Sequence, residues 1–386
     1  MKRILFDPEH DLYRESVRAF LAKEAVPHYP AWEAAGIVPR ELFTKLGALG
    51  ALGFAVPEAY GGSGTRDFRY NVVLQEEAAR AGIAPAILGP SLQADICLPY
   101  FLELADDEQK RRWLPGIASG ELITAIAMTE PGTGSDLSGI RTKAVRHGDG
   151  DAAHYVVDGA KTFITNGINA DLVITAVRTG GHPHRGLSLI VVERGTPGFA
   201  RGRNLDKVGM HAQDTAELSF TDAPVPVANL LGVEGEGFAG LTRNLAQERI
   251  SIAVAGLAQA TTALETTLTH VRERHAFGKP LGAQQTIRHR LAELVTEVDI
   301  AQQYLDRCVV ELNAGQLLPQ DAAKAKWWCT ELQGRVVDAC VQLHGGYGYM
   351  LEYPIAHIWA DSRVSRIYGG ANEIMKEIIG KSLDLG

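Results

Sequence analysis

Between Glu9 and Ala25, Leu12, Val17, Phe20 and Leu21 recur near the helical repeat with charged residues between them, which predicts an amphipathic helix. Pro27 and Pro30 end that pattern, because proline lacks an N–H and clashes with the preceding turn. Further helical patterns cover Arg40–Leu49, Asp67–Ala81, Ser91–Leu104 and Asp107–Trp113, with Asp107 as the expected N-cap. The texture changes after Gly120. Short β-prone runs at Leu122–Met128, His154–Val157, Thr162–Thr165, Leu172–Val177, Leu187–Val192 and Glu217–Phe220 are separated by Gly, Asp and Asn turns. No helical pattern alternates with them, so a small antiparallel β domain is expected rather than a parallel doubly wound sheet. From Phe238 to His275 the chain is helical in pattern and free of proline. More helices are predicted over Ala283–Ala314, over Gln320–His344 and after Ala371, and long helices with short connections form bundles. The expected architecture is α+β in three parts: helical over 1–120, β over 121–232 and a helical bundle over 233–386.

Composition narrows the function. The chain has 386 residues, 46% hydrophobic and 22% charged, which suits a folded globular protein. No run of ~18 apolar residues occurs, so no membrane span is expected. Lys+Arg number 38 against 46 Asp+Glu, a net charge of -8 that disfavours nucleic acid as a partner. The first residues, Met1 to Pro8, carry two cations and no apolar stretch, so a secretory leader is not expected. Cys97, Cys308, Cys329 and Cys340 form no C-x-x-C pair. They read as reduced, buried thiols of a cytoplasmic protein, and no metal site is expected.

Familiar motifs fail on context. Gly235-Glu-Gly237-Phe-Ala-Gly240 fits G-x-G-x-x-G, but a long helix follows it and no second strand, so it reads as a glycine turn opening a helix. His344-Gly345-Gly346 suggests an oxyanion loop, but the chain has no G-x-S-x-G nucleophile elbow. Five other segments mix glycine with hydroxyl, amide, aromatic or cationic side chains: Met128–Asp136, Lys161–Gly167, Arg272–Lys279, Gln342–Gly348 and Asp361–Ile374. Each alone also fits a surface loop, a half-buried strand or a helix C-cap.

In this order and at these separations, the five segments resemble the acyl-CoA dehydrogenase family, and the resemblance covers essentially the whole chain. Ile367-Tyr-Gly-Gly-Ala-Asn-Glu-Ile-Met-Lys-Glu-Ile is most similar to the long-chain branch. The resemblance implies an N-terminal α-helical domain, a central antiparallel β domain and a C-terminal four-helix bundle. It implies FAD as cofactor, dehydrogenation of an acyl-CoA thioester to the trans-2-enoyl-CoA, an electron-transferring flavoprotein as oxidant, and a homotetramer built as a dimer of dimers. Ile126, Met128, Thr129, Gly134 and Ser135 match the flavin loop. Phe163, Ile164 and Thr165 match the segment flanking the flavin ring, with Phe163 where many members have Trp. Arg274, Phe277, Gln285, Gln342, Leu343, Gly345 and Gly346 match the pyrophosphate and adenosine segments. Ala371, Asn372 and Glu373 close the set, with Ala371 where many members have Thr. Ser135, Arg249, Tyr368 and Gly370 match the thioester pocket.

The base commonly follows the Ile-Tyr pair near the C-terminus, and here that position is Gly369, whose N–H remains for the thioester carbonyl. A second branch carries the base on the long helix before an arginine, and Glu248-Arg249 matches it. A helical glutamate is more often a solvated residue or an i,i+4 partner. Yet the neighbours of Glu248 at that spacing are Asn244 and Ile252, and Ile250, Ala253 and Val254 mark a buried segment. A carboxyl there would titrate well above its usual ~4.3, which suits a base. Gly369 keeps a non-catalytic subunit of a mixed oligomer open as an alternative, beside a dehydrogenase of carrier-bound acyl groups or an oxidase.

Overall fold

The computed structural model describes residues 3–183 and 185–385, so Met1 and Lys2 of the leader reading lie outside it. The chain opens with helices α1 (Pro8–Glu24), α2 (Tyr29–Ala35), α3 (Arg40–Ala48), α4 (Arg69–Arg80), α5 (Ala84–Ser91), α6 (Leu98–Leu104) and α7 (Asp107–Ser119). Pro30 does more than end a pattern: it sits in the first turn of α2, where its missing N–H costs nothing. The N-cap of α7 is Asp106, one residue before the expected Asp107. The Asp106 carboxylate accepts the Gln109 N–H at 2.8 Å, and the Gln109 side chain accepts the Asp106 N–H at 3.0 Å. The predicted helix Ser91–Leu104 is three pieces, with a π-helical turn over Leu92–Cys97 joining α5 to α6. Pro90 inside α5 and Pro99 at the start of α6 each lack a donor, and the ladder widens between them.

The middle of the chain forms β1 (Thr124–Ala127), β2 (Lys143–His147), β3 (His154–Thr165), β4 (Leu172–Arg178), β5 (Leu187–Glu193), β6 (Phe199–Asn204), β7 (Thr215–Pro226) and β8 (Leu230–Leu231). Their order is β6-β7-β3-β2-β4-β5-β8, with β1 also against β4. Most pairs are antiparallel, but β1 and β2 both join β4 in parallel, so the sheet is mixed where a purely antiparallel one was expected. The two β-prone runs at His154 and Thr162 are one twelve-residue strand. It is continuous because a bulge absorbs the irregularity between Lys161 and Ile164.

Helix α8 (Gly237–Glu273) then runs for 37 residues, about 55 Å at 1.5 Å per residue. A tight hairpin of β9 (His275–Ala276) and β10 (Lys279–Pro280) leads to α9 (Gln285–Asn313), α10 (Pro319–His344), α11 (Pro354–Ser362) and α12 (Asn372–Lys381). Small and branched residues at helical spacing on α8, among them Ala253, Leu257, Ala260 and Leu264, pack against Leu305, Leu332 and Val336 of α9 and α10. Phe68, the N-cap of α4, and Val72 within it join that core, and Leu241 at the start of α8 joins the cluster of α6, α7 and the sheet. The N-terminal third of α8 is therefore clasped by all three parts of the fold. Among the described residues, no helix is long and apolar enough to cross a membrane.

Candidate active site

Glu248 lies in that clasped stretch and is 3% exposed. Its Oε1 accepts the Tyr100 O–H of α6 at 2.8 Å. Burial pushes the Glu248 carboxyl up to about 7, while the Tyr100 hydrogen bond and the adjacent Arg249 charge pull the other way. Arg249 is itself buried, and burial lowers its pKa. Its Nε and the Nδ2 of Asn244 are buried donors without a hydrogen-bond partner among the described residues. Two unspent donors beside a buried carboxyl are what a polar ligand group would satisfy.

The same helix stretch is tied to the π turn. Gln247 Nε2 donates to the Asp95 carbonyl at 2.7 Å, and Ser251 Oγ donates to the Asp95 carboxylate at 2.5 Å. Asn71 and Gln75 donate to the same carboxylate at 2.5 and 2.6 Å. Burial raises Asp95 to about 6 in spite of these three donors.

The C-terminal loop faces α8. Gly369 adopts φ +62°, and a Cβ there would lie 2.0 Å from Ile252 Cδ1. Lys326 of α10 donates to the Gly370 carbonyl at 2.7 Å and to Asn372 Oδ1 at 2.9 Å, which fixes the loop that leads into α12. Tyr368 carries a phenol pushed up to about 12 by burial. Asn372 is 2% exposed, and its amide also donates to Thr330 and Glu331. Its side chain is spent inside the bundle, which leaves its backbone for a cofactor contact. Ala371 is the N-cap position of α12, and Glu373 is exposed in its first turn.

A second group of expected residues gathers on the sheet. The Thr162 N–H donates to the Thr129 carbonyl at 3.0 Å, which joins the Met128–Ser135 loop to β3. Lys161, wholly buried, donates to the Met128 carbonyl at 3.0 Å and pairs with Glu130 at 2.9 Å. Glu130 also accepts the Arg141 and Thr142 N–H groups. Phe163 takes a left-handed φ of 60° on the bulge, and its ring is 68% exposed. The regular alternation of a strand is thus broken at Phe163. Ile164 points into the β core, so it offers its backbone to the sheet surface. Thr129, Thr165 and Ile126 are half-buried, and Gly134 and Ser135 are exposed.

The third group lies at the far end of α8. Arg274, Gln342, Leu343, Gly345 and Gly346 line an open cavity of about 480 Å³, together with His270 and Tyr347. A Cβ at Gly345 or Gly346 would meet nothing within 4 Å, so the concavity runs over the bare backbone. Phe277 sits at the tip of the β9–β10 hairpin and is 96% exposed, and Gln285 is exposed at the start of α9.

Tyr100, Asp95, Lys161, Glu130, Lys326 and Ile252 are absent from the expected site. A buried Lys in a β-prone segment was a visible anomaly, because lone charges are rarely placed in a core. Tyr100 gave no local signal, since its partner is 148 positions away.

Three family models match the chain: the acyl-CoA dehydrogenase N-terminal domain over 7–121, the middle domain over 125–223 and the C-terminal domain over 235–383. The mitochondrial long-chain specific acyl-CoA dehydrogenase of Sus scrofa is 44% identical, over 99% of this chain and 88% of its own. The acyl-CoA dehydrogenase crystal structure from Geobacillus kaustophilus superposes with a TM-score of 0.95 at 50% identity, covering 98% of this chain and 99% of that one. A glutaryl-CoA dehydrogenase from Mycobacterium smegmatis, solved in complex with FADH2, gives 0.90 at 27% identity, covering 98% and 95%. With helical, β and helical parts in the expected order and these matches along its length, the chain belongs to the acyl-CoA dehydrogenase family.

Proposed function

We propose that this protein is an FAD-dependent acyl-CoA dehydrogenase in which Glu248 removes the α-proton of the bound thioester. The observation that carries this is a buried carboxyl held at about 7 with a neutral phenol as its hydrogen-bond partner. Such a group is about half ionised at neutral pH and still basic enough to take a proton. FAD, when bound, supplies the acceptor for the hydride that leaves the β-carbon. The Gly369 N–H, which donates to no carbonyl among the described residues, is free for the thioester oxygen and the charge that gathers there. Arg249 and Asn244 offer further unspent donors near Glu248 on α8.

The residues fit the cofactor. The exposed Phe163 ring and the Met128–Ser135 loop, pinned by Lys161, would cover a flavin ring and bond its edge. The glycine-floored cavity with Arg274 suits a pyrophosphate and nucleoside. These two groups lie on the sheet and at the far end of α8. Both would serve one flavin where the hairpin of one copy, with Arg274 and Phe277, reaches a second copy. We therefore propose the homotetramer, a dimer of dimers, with electron-transferring flavoprotein as the oxidant.

The test is the visible spectrum under anaerobic titration with acyl-CoA, starting with long-chain thioesters on the precedent of the Sus scrofa relative. The wild type bleaches. Glu248→Gln retains its yellow flavin and bleaches at least 1000-fold more slowly, on the order of the loss of a positioned base. Bleaching of that variant at the wild-type rate rejects Glu248 as the base.

A further inference from the structure

We propose that Tyr100 is a positioning residue for Glu248: its phenolic O–H sets the direction of the carboxylate and the pH at which it becomes a base. This rests on the reading of Glu248 as the base.

The two side chains meet across 148 positions of sequence with an O···O distance of 2.8 Å. Tyr100 is fully buried, packed in the core cluster that holds Phe101, Trp113 and Leu241. An aromatic side chain has two torsions, and core packing fixes both, so the hydroxyl is presented at one place. Its backbone is equally constrained. Two residues flanking Glu248 on α8, Gln247 and Ser251, are bonded to Asp95 in the turn that leads into α6. Three bonds from one helical arm thus hold one turn of α8, and the middle one falls on the carboxylate.

The chemistry of the donor explains its choice. A lysine in this place would keep Glu248 ionised but would depress its basicity. A purely apolar partner would leave burial unopposed and keep the carboxyl protonated at neutral pH. A phenol is neutral, donates one hydrogen bond and favours the ionised form by an intermediate amount. Burial and the neighbouring carboxylate hold the phenol well above its ordinary pKa, so it stays a donor and gives up no proton. The other groups around the pair do not replace it. Cys97, in the π turn, is a thiol kept neutral by burial. Arg249 adds positive charge beside Glu248 and is itself faced by Lys326 of α10, while Glu103 faces Tyr100 from the exposed end of α6.

Tyr100→Phe removes the donor and keeps the ring. The expected result is an unchanged flavin spectrum with the acid limb of the kcat/KM profile moved up by about one pH unit, a tenfold loss on the acid side that disappears at alkaline pH. A packing defect would instead lower kcat/KM evenly across pH. Should the phenylalanine variant fail to fold, 3-fluorotyrosine placed at position 100 keeps the shape and strengthens the donor, and the acid limb then moves down. An acid limb that stays in place in the folded variant or with fluorotyrosine overturns the proposal, and an inactive Glu248→Gln beside it leaves the base assignment standing. A Glu248→Gln that bleaches normally overturns both.

Discussion

Ile252 Cδ1 lies 2.0 Å from the point that a Cβ on Gly369 would occupy. Ile252 is one turn beyond Glu248 on α8, so the residue that follows the proposed base along one helix face fills the space a side chain at 369 would need. The two placements of the base known from the family's sequence patterns are, in this chain, sterically exclusive. Gly369→Ala is therefore expected to cost about 2 kcal/mol from overpacking and positive φ together. Adding Ile252→Ala returns the packing share only. Urea denaturation of the two variants checks both statements. For the same reason the exchange Glu248→Gly with Gly369→Glu stays inactive unless Ile252 is shortened as well.

Stability should respond to Glu248 in a defined pH window. Its folded pKa of about 7 lies above the ordinary value of 4.5, so the folded state binds the extra proton and stability falls as pH rises between those values. Glu248→Gln removes that fall. The variant should match the wild type near pH 4 and exceed it at pH 8 by up to roughly 3 kcal/mol, the free energy of the shift. Melting temperatures at the two pH values measure it.

Lys161→Met should loosen the Met128–Ser135 loop, the proposed flavin cover. The substitution strands the Met128 carbonyl and leaves Glu130 buried without its cation. Breaking a buried pair from one side costs about 3 kcal/mol or more. Flavin fluorescence, which rises on release, is expected to appear at a lower temperature in the variant, ahead of the loss of helical circular dichroism.

Much of this was legible in the chain. The apolar spacing of Ala253, Leu257, Ala260 and Leu264 announces α8, and the proline-free run gives its length. Glu248 is singled out by the family resemblance of Glu248-Arg249, and the lack of an i,i+4 partner for a carboxyl inside such a stretch supports it. Other features left no local trace. The π turn depends on Pro90 and Pro99 acting together with the contacts Asp95 makes. The left-handed Phe163 is set by a bulge against β7. The parallel seating of β1 beside β4 is a matter of tertiary packing rather than residue pattern.

Ser251→Ala should be a pH-dependent lesion. Asp95 titrates at about 6, and the Ser251 hydroxyl bonds best to its ionised form. Removing that donor raises the Asp95 pKa further and leaves one fewer bond to a buried charge. The cost is expected at about 1–2 kcal/mol at pH 8 and well below that at pH 5, where the carboxyl is protonated in both proteins. Denaturant midpoints at the two pH values decide it.

Helix α8 carries Glu248 in its first third and is capped by Arg274, 26 residues on and about 39 Å away along the axis. An extended flavin dinucleotide is shorter than that, so one cofactor does not meet both residues of one chain. In the proposed assembly each copy lends its base to one reaction centre and its nucleotide grip to the next. The genetics of such an enzyme differ from those of a self-sufficient subunit. An allele defective at Glu248 and one defective at Arg274 put both lesions into the same centre of a mixed pair and leave the other centre whole. Two null alleles of one gene would then complement each other.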